Sequence, residues 1–385
     1  MGPRPSFKET RLDTGTGNNL VATGVAIGLI DRDEHPDLVI SSSMSTSNDV
    51  ATPTVMTVRR GDGSGGLLDR LPPVEVGLGH LPVTLADVDG DGRHDIAMSG
   101  AFCLTRASGA CDVPSSSPIP GGGFGTWGYV NDDEHVDVVA PRDNGEVLTH
   151  LGRSGIDFDE PIHNEYTGPT LPWRVLGDVD GDGNADIVGL HVSYLDGGPD
   201  AETPPGSIQV LTGDGQGHFS WRAEWTRELS ERTGHLAGGD FNCDGLLDIV
   251  TTVSDPDEPT ELINNKVHIY LSGQDTWHAP ISIELDGPVR VAVGDFNADG
   301  HHDLVVATFY FARGAPPSAG YPVVLLGDGT GEFDHAQIAL MSSGPSSNPF
   351  FVGAGDLNND GLDDVLAADM VYTNSVSLWL SQSGG

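Results

Sequence analysis

Apolar and polar positions recur in a fixed order along the chain. An apolar run ends at an aspartate, a short acidic loop follows, and a β-branched run opens directly after the loop's last aspartate, as in Asp186-Ile-Val, Asp248-Ile-Val and Asp303-Leu-Val-Val-Ala. A variable stretch comes next, then an alternating strand and a glycine-rich turn that leads to an aromatic residue. Val210-Leu-Thr-Gly213-Asp-Gly215-Gln-Gly217-His-Phe219 and Val323-Val-Leu-Leu-Gly327-Asp-Gly329-Thr-Gly331-Glu-Phe333 both read this way. These signals predict four short strands per unit.

The acidic loop reads Asp-x-Asp/Asn-x-Asp-Gly-x-x-Asp at 87–95, 178–186, 240–248, 295–303 and 356–364. Weaker copies stand at 29–37 and 129–137, where Leu29 and Tyr129 replace the first aspartate and Glu34 and Glu134 replace the glycine. Seven units of about 55 residues, each a four-stranded sheet set around one axis, make an all-β, seven-bladed β-propeller. We expect a single propeller domain over residues 1–385. The last unit stops after its third strand, Val376-Ser-Leu-Trp-Leu380, and a segment at about 6–12 has the look of the missing fourth, with Phe7 in the place of Phe219 and Phe333. Pairing the N-terminal strand with the C-terminal blade closes the ring and removes an exposed sheet edge.

Composition narrows the picture. There are 57 acidic residues against 18 basic ones, a formal charge of −39, yet 37% of residues are hydrophobic, which is enough for a core. With 53 glycines and 26 prolines a helical bundle is disfavoured. The only lysines are Lys8 and Lys266 and no basic stripe exists, so nucleic acid is excluded as a partner. Apolar stretches such as 21–30 are too short and too rich in glycine to span a bilayer, so no membrane insertion is expected. Met1-Gly2-Pro3-Arg4-Pro5 lacks the apolar core of a secretory signal. Of a cytosolic chain and a mature domain with an added start codon, the second fits better. Cys103 and Cys111 are close enough in sequence to close a hairpin disulfide in an oxidising compartment, two buried thiols being the alternative. Cys243 stands alone.

Oxygen ligands at alternating positions of a tight loop form a cage for a hard cation. Six or seven oxygens suit Ca²⁺, whereas Mg²⁺ keeps its waters and Zn²⁺ favours His or Cys. The candidate ligands are Asp87, Asp89, Asp91 and Asp95 with the Arg93 carbonyl, and Asp178, Asp180, Asp182 and Asp186 with that of Asn184. Asp240, Asn242, Asp244 and Asp248 join the Leu246 carbonyl, Asp295, Asn297, Asp299 and Asp303 that of His301, and Asp356, Asn358, Asp360 and Asp364 that of Leu362. Five Ca²⁺ are expected, with up to two more at the weak loops, in a structural role. An EF-hand is excluded, because its twelfth-position Glu is absent (Met98 and Gly189 stand there) and the flanks read as strands.

These loops, their place between an apolar strand and a β-branched strand, and the turn ending in Phe resemble the FG-GAP/VCBS repeats of integrin α-subunit-like seven-bladed propellers. The resemblance covers nearly the whole chain. It implies calcium loops between the first and second strands of each blade on one face, with ligands engaged on the opposite face. The literal signatures are sparse, Phe124-Gly125 and Gly314-Ala315-Pro316 being isolated instances, which points to the bacterial VCBS-type branch of extracellular binding and adhesion modules. The second unit lacks the glycine-rich turn and carries Cys103 and Cys111 instead, and a disulfide across that hairpin would replace one turn device by another.

On the face opposite the acidic loops, the longest connections are 192–206, 253–265 and 309–321, with acids at Asp196, Asp200, Glu202, Asp255, Asp257, Glu258 and Glu261. Five residues before each first loop position lies the entrance of the innermost strand, where Gly24, Pro82, Phe124, Trp173, His235, Arg290 and Phe351 ring the axis. Trp173, His235, Arg290 and Phe351, with Tyr194 and Tyr310, can stack on a sugar or clasp a carboxylate. Packing residues that cap the channel are the competing reading. Arg60-Gly61-Asp62 occupies the glycine-rich turn and is explained by it. No Gly-x-Ser-x-Gly or His-Glu-x-x-His occurs and no catalytic residue is assigned. The reading is a secreted, cell-surface or periplasmic calcium-stabilised module for glycan or protein, a monomer or part of a larger assembly. The alternative is a polysaccharide lyase or glycoside hydrolase that uses carboxylates and His235.

Overall fold

The computed structural model describes residues 4–13, 20–44, 53–78, 83–98, 101–112, 125–142, 146–154, 156–192, 206–231, 233–253, 265–273, 275–285, 287–308, 320–334, 338–340, 349–369 and 375–383. Among the described residues, thirty strands form seven antiparallel sheets. Strand β1 (Ser6–Asp13) is set aside for the last sheet. Blade 1 contains β2 (Leu20–Gly28), β3 (Asp37–Met44), β4 (Pro53–Gly61) and β5 (Leu67–Arg70), with β6 (Val74–Leu78) also paired to β4. Blade 2 contains β7 (Thr84–Ala86), β8 (Asp95–Met98), β9 (Ala101–Thr105) and β10 (Cys111–Asp112). Blade 3 contains β11 (Thr126–Gly128), β12 (Asp137–Pro141), β13 (Glu146–His150) and β14 (Ile162–Glu165). Blade 4 contains β15 (Trp173–Gly177), β16 (Asp186–His191), β17 (Ser207–Gly213) and β18 (Phe219–Trp221), with β19 (Arg227–Glu228) also on β17. Blade 5 contains β20 (Thr233–Gly239), β21 (Asp248–Val253), β22 (Lys266–Tyr270) and β23 (Ile281–Glu284). Blade 6 contains β24 (Pro288–Gly294), β25 (Asp303–Thr308), β26 (Pro322–Leu325) and β27 (Ile338–Ala339). Blade 7 contains β28 (Pro349–Gly355), β29 (Asp364–Asp369) and β30 (Ser375–Gln382), and β1 completes it.

The closure is in register. Phe7 lies opposite Ser381, as Phe219 lies opposite Gly213 and Phe333 opposite Gly327. The N-terminal strand therefore takes the place that the chain's own fourth strand takes in the other blades. Packing closes the ring too, because a separate apolar cluster fills each of the seven junctions between neighbouring sheets. Between blades 5 and 6, Val250, Val267 and Ile269 meet Leu304, Val306 and Val323. Between blades 7 and 1, Leu366 and Leu378 meet Leu38 and Ile40. Second strands are covered on both faces, which explains their unbroken β-branched runs: every residue of β21 and β25 is buried.

One device recurs within all seven blades. The aspartate at the ninth loop position is completely buried at Asp37, Asp95, Asp137, Asp186, Asp248, Asp303 and Asp364. Its Oδ2 accepts a backbone N–H from the second loop position, as from Val130 at 2.8 Å and Phe296 at 2.9 Å. Its Oδ1 accepts an N–H from the end of the third strand, as from Gly152 at 2.8 Å and Gly327 at 2.7 Å. The aspartate thus ties the acidic loop to the outer hairpin. A Cβ at Gly61, Gly152, Gly213 or Gly327 would lie 2.1–2.4 Å from the carbonyl oxygen just before that aspartate. In the three other blades Thr105, Ser272 and Ser381 stand there and donate their hydroxyls to that carbonyl.

Cys103 and Cys111 form a disulfide with Cα atoms 5.5 Å apart, joining β9 to β10 where the glycine-rich turn is absent. In the Arg60-Gly61-Asp62 turn, Asp62 Oδ1 accepts N–H bonds from Ser64 and Gly66 at 2.8 and 2.9 Å. That carboxylate is engaged in its own turn. Among the described residues no helix is long and apolar enough to cross a membrane.

Candidate metal centres and axial recess

Each complete loop is wound around its first aspartate. The glycine at the sixth position has φ of +86° at Gly92, +85° at Gly183, +85° at Gly245, +80° at Gly300 and +84° at Gly361. Its N–H donates to the first aspartate's Oδ2 at 2.8–2.9 Å in all five loops. A Cβ added at these glycines meets nothing within 4 Å, so the left-handed backbone alone demands glycine there. At the fourth position Cys243, Ala298 and Asn359 adopt φ of +59°, +53° and +55°, a cost that the loop's internal bonds offset.

Carboxylates converge as a result. Ligand atoms of Asp87, Asp89 and Asp95, and of Asp178, Asp180 and Asp186, lie within 4.8 Å of one another. The weak loop of blade 1 brings Asp31, Asp33 and Asp37 equally close, with Arg60 Nη1 4.0 Å from Asp31. In blade 2 Arg93 pairs with Asp91 and also donates to the Thr105 carbonyl at 3.0 Å. Burial is the main force on the ninth-position aspartates. It pushes Asp37, Asp95 and Asp248 up to about 6 and Asp186, Asp303 and Asp364 up to about 7, against the pull of their N–H donors and with a further push from neighbouring carboxylates. A divalent cation offsets both the burial and the like charge, and the all-oxygen donor set fits calcium.

Sequence reasoning treated the ninth aspartate as a ligand alone and missed its structural bonds. The signal was present: both weak loops keep that residue while losing the first ligand. It also missed the eighth position, which reaches the preceding blade. The N–H of His94, Leu247 and Asp363 donates to the first-position carbonyl of the previous loop, at Leu29, Asp178 and Asp295, over 2.8, 2.6 and 2.9 Å. The side chains of His94, His302 and Asp363 accept the first-position N–H of Leu29, Asp240 and Asp295 at 3.2, 3.0 and 2.8 Å. Cys243 Sγ lies 3.3 Å from His301 Nδ1, bridging the loops of blades 5 and 6.

At the opposite end of the axis, Gly24, Trp173, His235, Arg290 and Phe351 line one recess of about 180 Å³. Register shifts just before Gly24, His235, Arg290 and Phe351 mark bulges at the entrances of β2, β20, β24 and β28. Such bulges re-aim side chains. The Arg290 guanidinium lies over Trp173 at 4.1 Å and over Phe351 at 5.1 Å from the ring centroids. The His235 ring is 4.8 Å from that of Trp173, its Nδ1 faces the Val291 N–H at 3.4 Å, and burial with Arg290 nearby keeps it neutral. Pro82, Phe124, Tyr194, Tyr310 and the acids of the long connections lie outside the described residues. At the channel's other mouth, a wider cavity of about 660 Å³ is lined by Tyr129, Arg174, Asp178 and Asp240. There Arg174 is held by Thr126 at 3.1 Å and by the Leu171 carbonyl.

No family model matches the chain. Human integrin alpha-IIb is 24% identical over 279 residues, covering 68% of this chain and 26% of that protein. The chain thus spans about a quarter of the length of the curated relative it matches. Among solved structures, the exotype rhamnogalacturonan lyase YesX aligns with a TM-score of 0.55 at 14% identity, over 98% of this chain and 74% of that one. BBS1N, solved in complex with ARL6DN, aligns with 0.56 at 12% identity, over 96% and 95%. Rhamnogalacturonan lyase YesW aligns with 0.52 at 13%, over 97% and 75%. At these identities the structural likeness concerns the fold alone. Seven closed blades with an acidic loop between the first two strands of each make this chain a seven-bladed β-propeller, similar in sequence to the integrin alpha-IIb segment it matches.

Proposed function

We propose that the chain is a calcium-stabilised extracellular binding module that engages a glycan or protein partner on the face opposite its acidic loops. The observation that carries this reading is the separation of chemistries along the axis. Carboxylate cages gather at one end of the inner strands, while cationic and aromatic side chains converge at the other. The candidate calcium ligands are those of the five complete loops, and the blade 1 loop is a sixth candidate. The Cys103–Cys111 disulfide and the integrin relative support an oxidising, extracellular setting. A single domain acting as a monomer, or as one module of a larger assembly, is consistent with a ring closed by its own termini.

A glycosidase on this scaffold would need two carboxyls flanking the scissile bond. The described lining of the axial recess contains none, and His235 is packed against Trp173. Binding is therefore the better reading. Equilibrium dialysis of the chelator-stripped chain against Ca²⁺, with a thermal melt in parallel, tests the metal half; about five ions per chain and a higher melting temperature are expected. Fewer than one ion and an unchanged melt would overturn it. Glycan arrays and purified extracellular proteins test the partner, with turnover of acidic and neutral polysaccharides as control. Reproducible cleavage abolished by His235→Ala would replace binding by catalysis.

A further inference from the structure

We propose that Ser282, His268 and Glu231 form a hydrolytic triad on the outer edge of blade 5, with Ser282 as a nucleophile toward short carboxylic esters. The inference goes beyond the binding-module reading and does not depend on it, because Ser282 lies on the outermost strand, β23, and lines neither the axial recess nor the wider cavity. The Ser282 hydroxyl is 2.8 Å from His268 Nδ1, His268 Nε2 is 2.8 Å from Glu231 Oε2, and Lys266 Nζ is 2.7 Å from Glu231 Oε1. Three separate segments supply the chain of contacts: Glu231 comes from the connection between blades 4 and 5, His268 from β22 and Ser282 from β23.

Three observations give the serine its role. First, the tautomer of the ring is set. Burial works against charge on Glu231, but the bonds from Lys266 and His268 outweigh it and hold the carboxyl below its ordinary range. An ionised carboxylate only accepts, so a neutral His268 carries its one proton on Nε2, and the Nδ1 lone pair is left to accept the Ser282 O–H. That is the arrangement in which imidazole serves serine as a general base. Second, strand pairing holds the two side chains together. The Leu285 N–H donates to the Asn265 carbonyl at 3.1 Å, and by the alternation of an antiparallel ladder His268 and Ser282 are then a non-hydrogen-bonded pair, the position with the closest side chains. The same alternation turns the Ser282 N–H away from β22 to the open edge of the sheet, where it can donate to an oxyanion on a carbon bound to Oγ. Third, the base is sheltered and the nucleophile is reachable: the His268 side chain is 12% exposed, whereas Ser282 is an exposed residue. A nucleophile outside both cavities grips little of its substrate, which favours a short acyl group over a long chain. In the reaction Ser282 Oγ bonds the acyl carbon as its proton passes to His268 Nδ1, and the bond to the alcohol breaks as that proton reaches the leaving oxygen. Water then attacks the acyl-serine and gives a proton to the same nitrogen, which returns it to Oγ as the carboxylic acid leaves. Glu231 is a positioning residue, steadied by Lys266.

The full calcium-loaded chain is treated with a fluorophosphonate, which exchanges fluoride for the oxygen of an activated serine, and the adduct is located by intact mass and peptide mapping. An adduct on Ser282 is expected and none on Ser220, an exposed serine of the outer strand β18 that faces Thr212 in place of a histidine. No adduct on Ser282, or equal labelling of Ser220, overturns the proposal without recourse to any variant. His268→Ala should slow the labelling about a hundredfold or more, and labelling at the parent's rate would remove the general base. In turnover of p-nitrophenyl acetate, Ser282→Ala should abolish the catalysed rate, and persistence of that rate overturns the nucleophile. Glu231→Gln should lower kcat about tenfold or more with KM unchanged, and a loss confined to KM overturns the positioning role. Faster turnover of p-nitrophenyl octanoate than of the acetate overturns the assignment to short acyl groups.

Discussion

Asp137→Asn is the most informative single substitution. Blade 3 has Tyr129 in place of the first ligand, so Asp137 has the least reason to serve a metal, yet it makes the same two backbone bonds as its counterparts, 2.8 Å to Val130 and 2.8 Å to Gly152. Asparagine can accept one of them. The other N–H then faces an amide NH₂ in a site with no solvent access. A charge-assisted bond contributes about 1.5–3 kcal/mol and an orphaned buried donor costs about 1–3 kcal/mol. Removing a buried charge, whose pKa burial already raises, offsets part of this. The balance is a loss of about 2–4 kcal/mol. Asp303→Asn breaks the equivalent bonds to Phe296 and Gly327, and should cost the same in chelator but more in calcium, by about 2.7 kcal/mol when the ion stands at a hundredfold its Kd. Urea midpoints of the parent and both variants, with chelator and with calcium, give the comparison. If Asp137→Asn stays within about 0.5 kcal/mol of the parent, the range of an ordinary surface change, the stapling role is refuted.

Stability of the metal-free chain should fall as pH rises from about 4 to about 7. Asp37, Asp95 and Asp248 sit at about 6 and Asp186, Asp303 and Asp364 at about 7 when folded, against an ordinary value of 3.8, so the folded state binds more protons than the unfolded one in that window and loses the advantage above it. Melting temperature against pH in chelator reads this, and a rise across the window would contradict it. Calcium binding near pH 6 should release protons, seen in calorimetry as a heat that depends on the buffer's ionisation enthalpy; a buffer-independent heat would count against carboxylate ligation. Reducing the Cys103–Cys111 disulfide opens a loop of sequence separation 8 and should cost about 2.5 kcal/mol by the chain-entropy estimate, measured as a lower urea midpoint in reductant. Gly327→Ala sets a methyl against the His302 carbonyl and should cost about 1–3 kcal/mol; Gly327→Ser should cost less, because the hydroxyl can donate there as Ser381 does, and equal losses would discount that contact.

The propeller was legible because its signals are local and repeated. Asp186-Ile-Val and its counterparts mark each second strand, and a period of about 55 residues leaves little choice of architecture. Even the closure could be read, since Phe7 occupies a turn-aromatic position that the last blade lacks. The convergence of Trp173, His235, Arg290 and Phe351 followed from counting back five residues in each unit. The mutual arrangement of those side chains was out of reach. That Arg290 lies against two rings depends on bulges at the entrances of β24 and β28, and no residue type in those strands announces a bulge. The eighth loop position escaped notice for a similar reason. His94, Leu247, His302 and Asp363 share no side-chain chemistry, and three of them have in common a backbone N–H aimed at the preceding blade.

Those contacts between blades bear on why the chain carries so much negative charge. The first aspartate of a loop presents its side chain to its own cage and its backbone to the next blade: the Asp240 N–H bonds His302, the Asp295 N–H and carbonyl bond Asp363, and the Asp178 carbonyl bonds Leu247. The four blades so joined, 4 to 7, are the run in which every loop is complete. A cation held by such a loop therefore fixes a residue that also anchors its neighbour, and relief of repulsion inside one blade is passed to the junction with the next. Without a cation the same geometry would work in reverse, most of all in blade 4, where the carboxylates of Asp178, Asp180 and Asp186 crowd within 4.8 Å beside the Asp178 carbonyl that docks blade 5. Apolar clusters at seven junctions supply the bulk of the cohesion. The acidic loops stand at the ends of those junctions, where backbone and side-chain hydrogen bonds from the eighth loop position join neighbouring sheets, and a cation bound there would stiffen those joints.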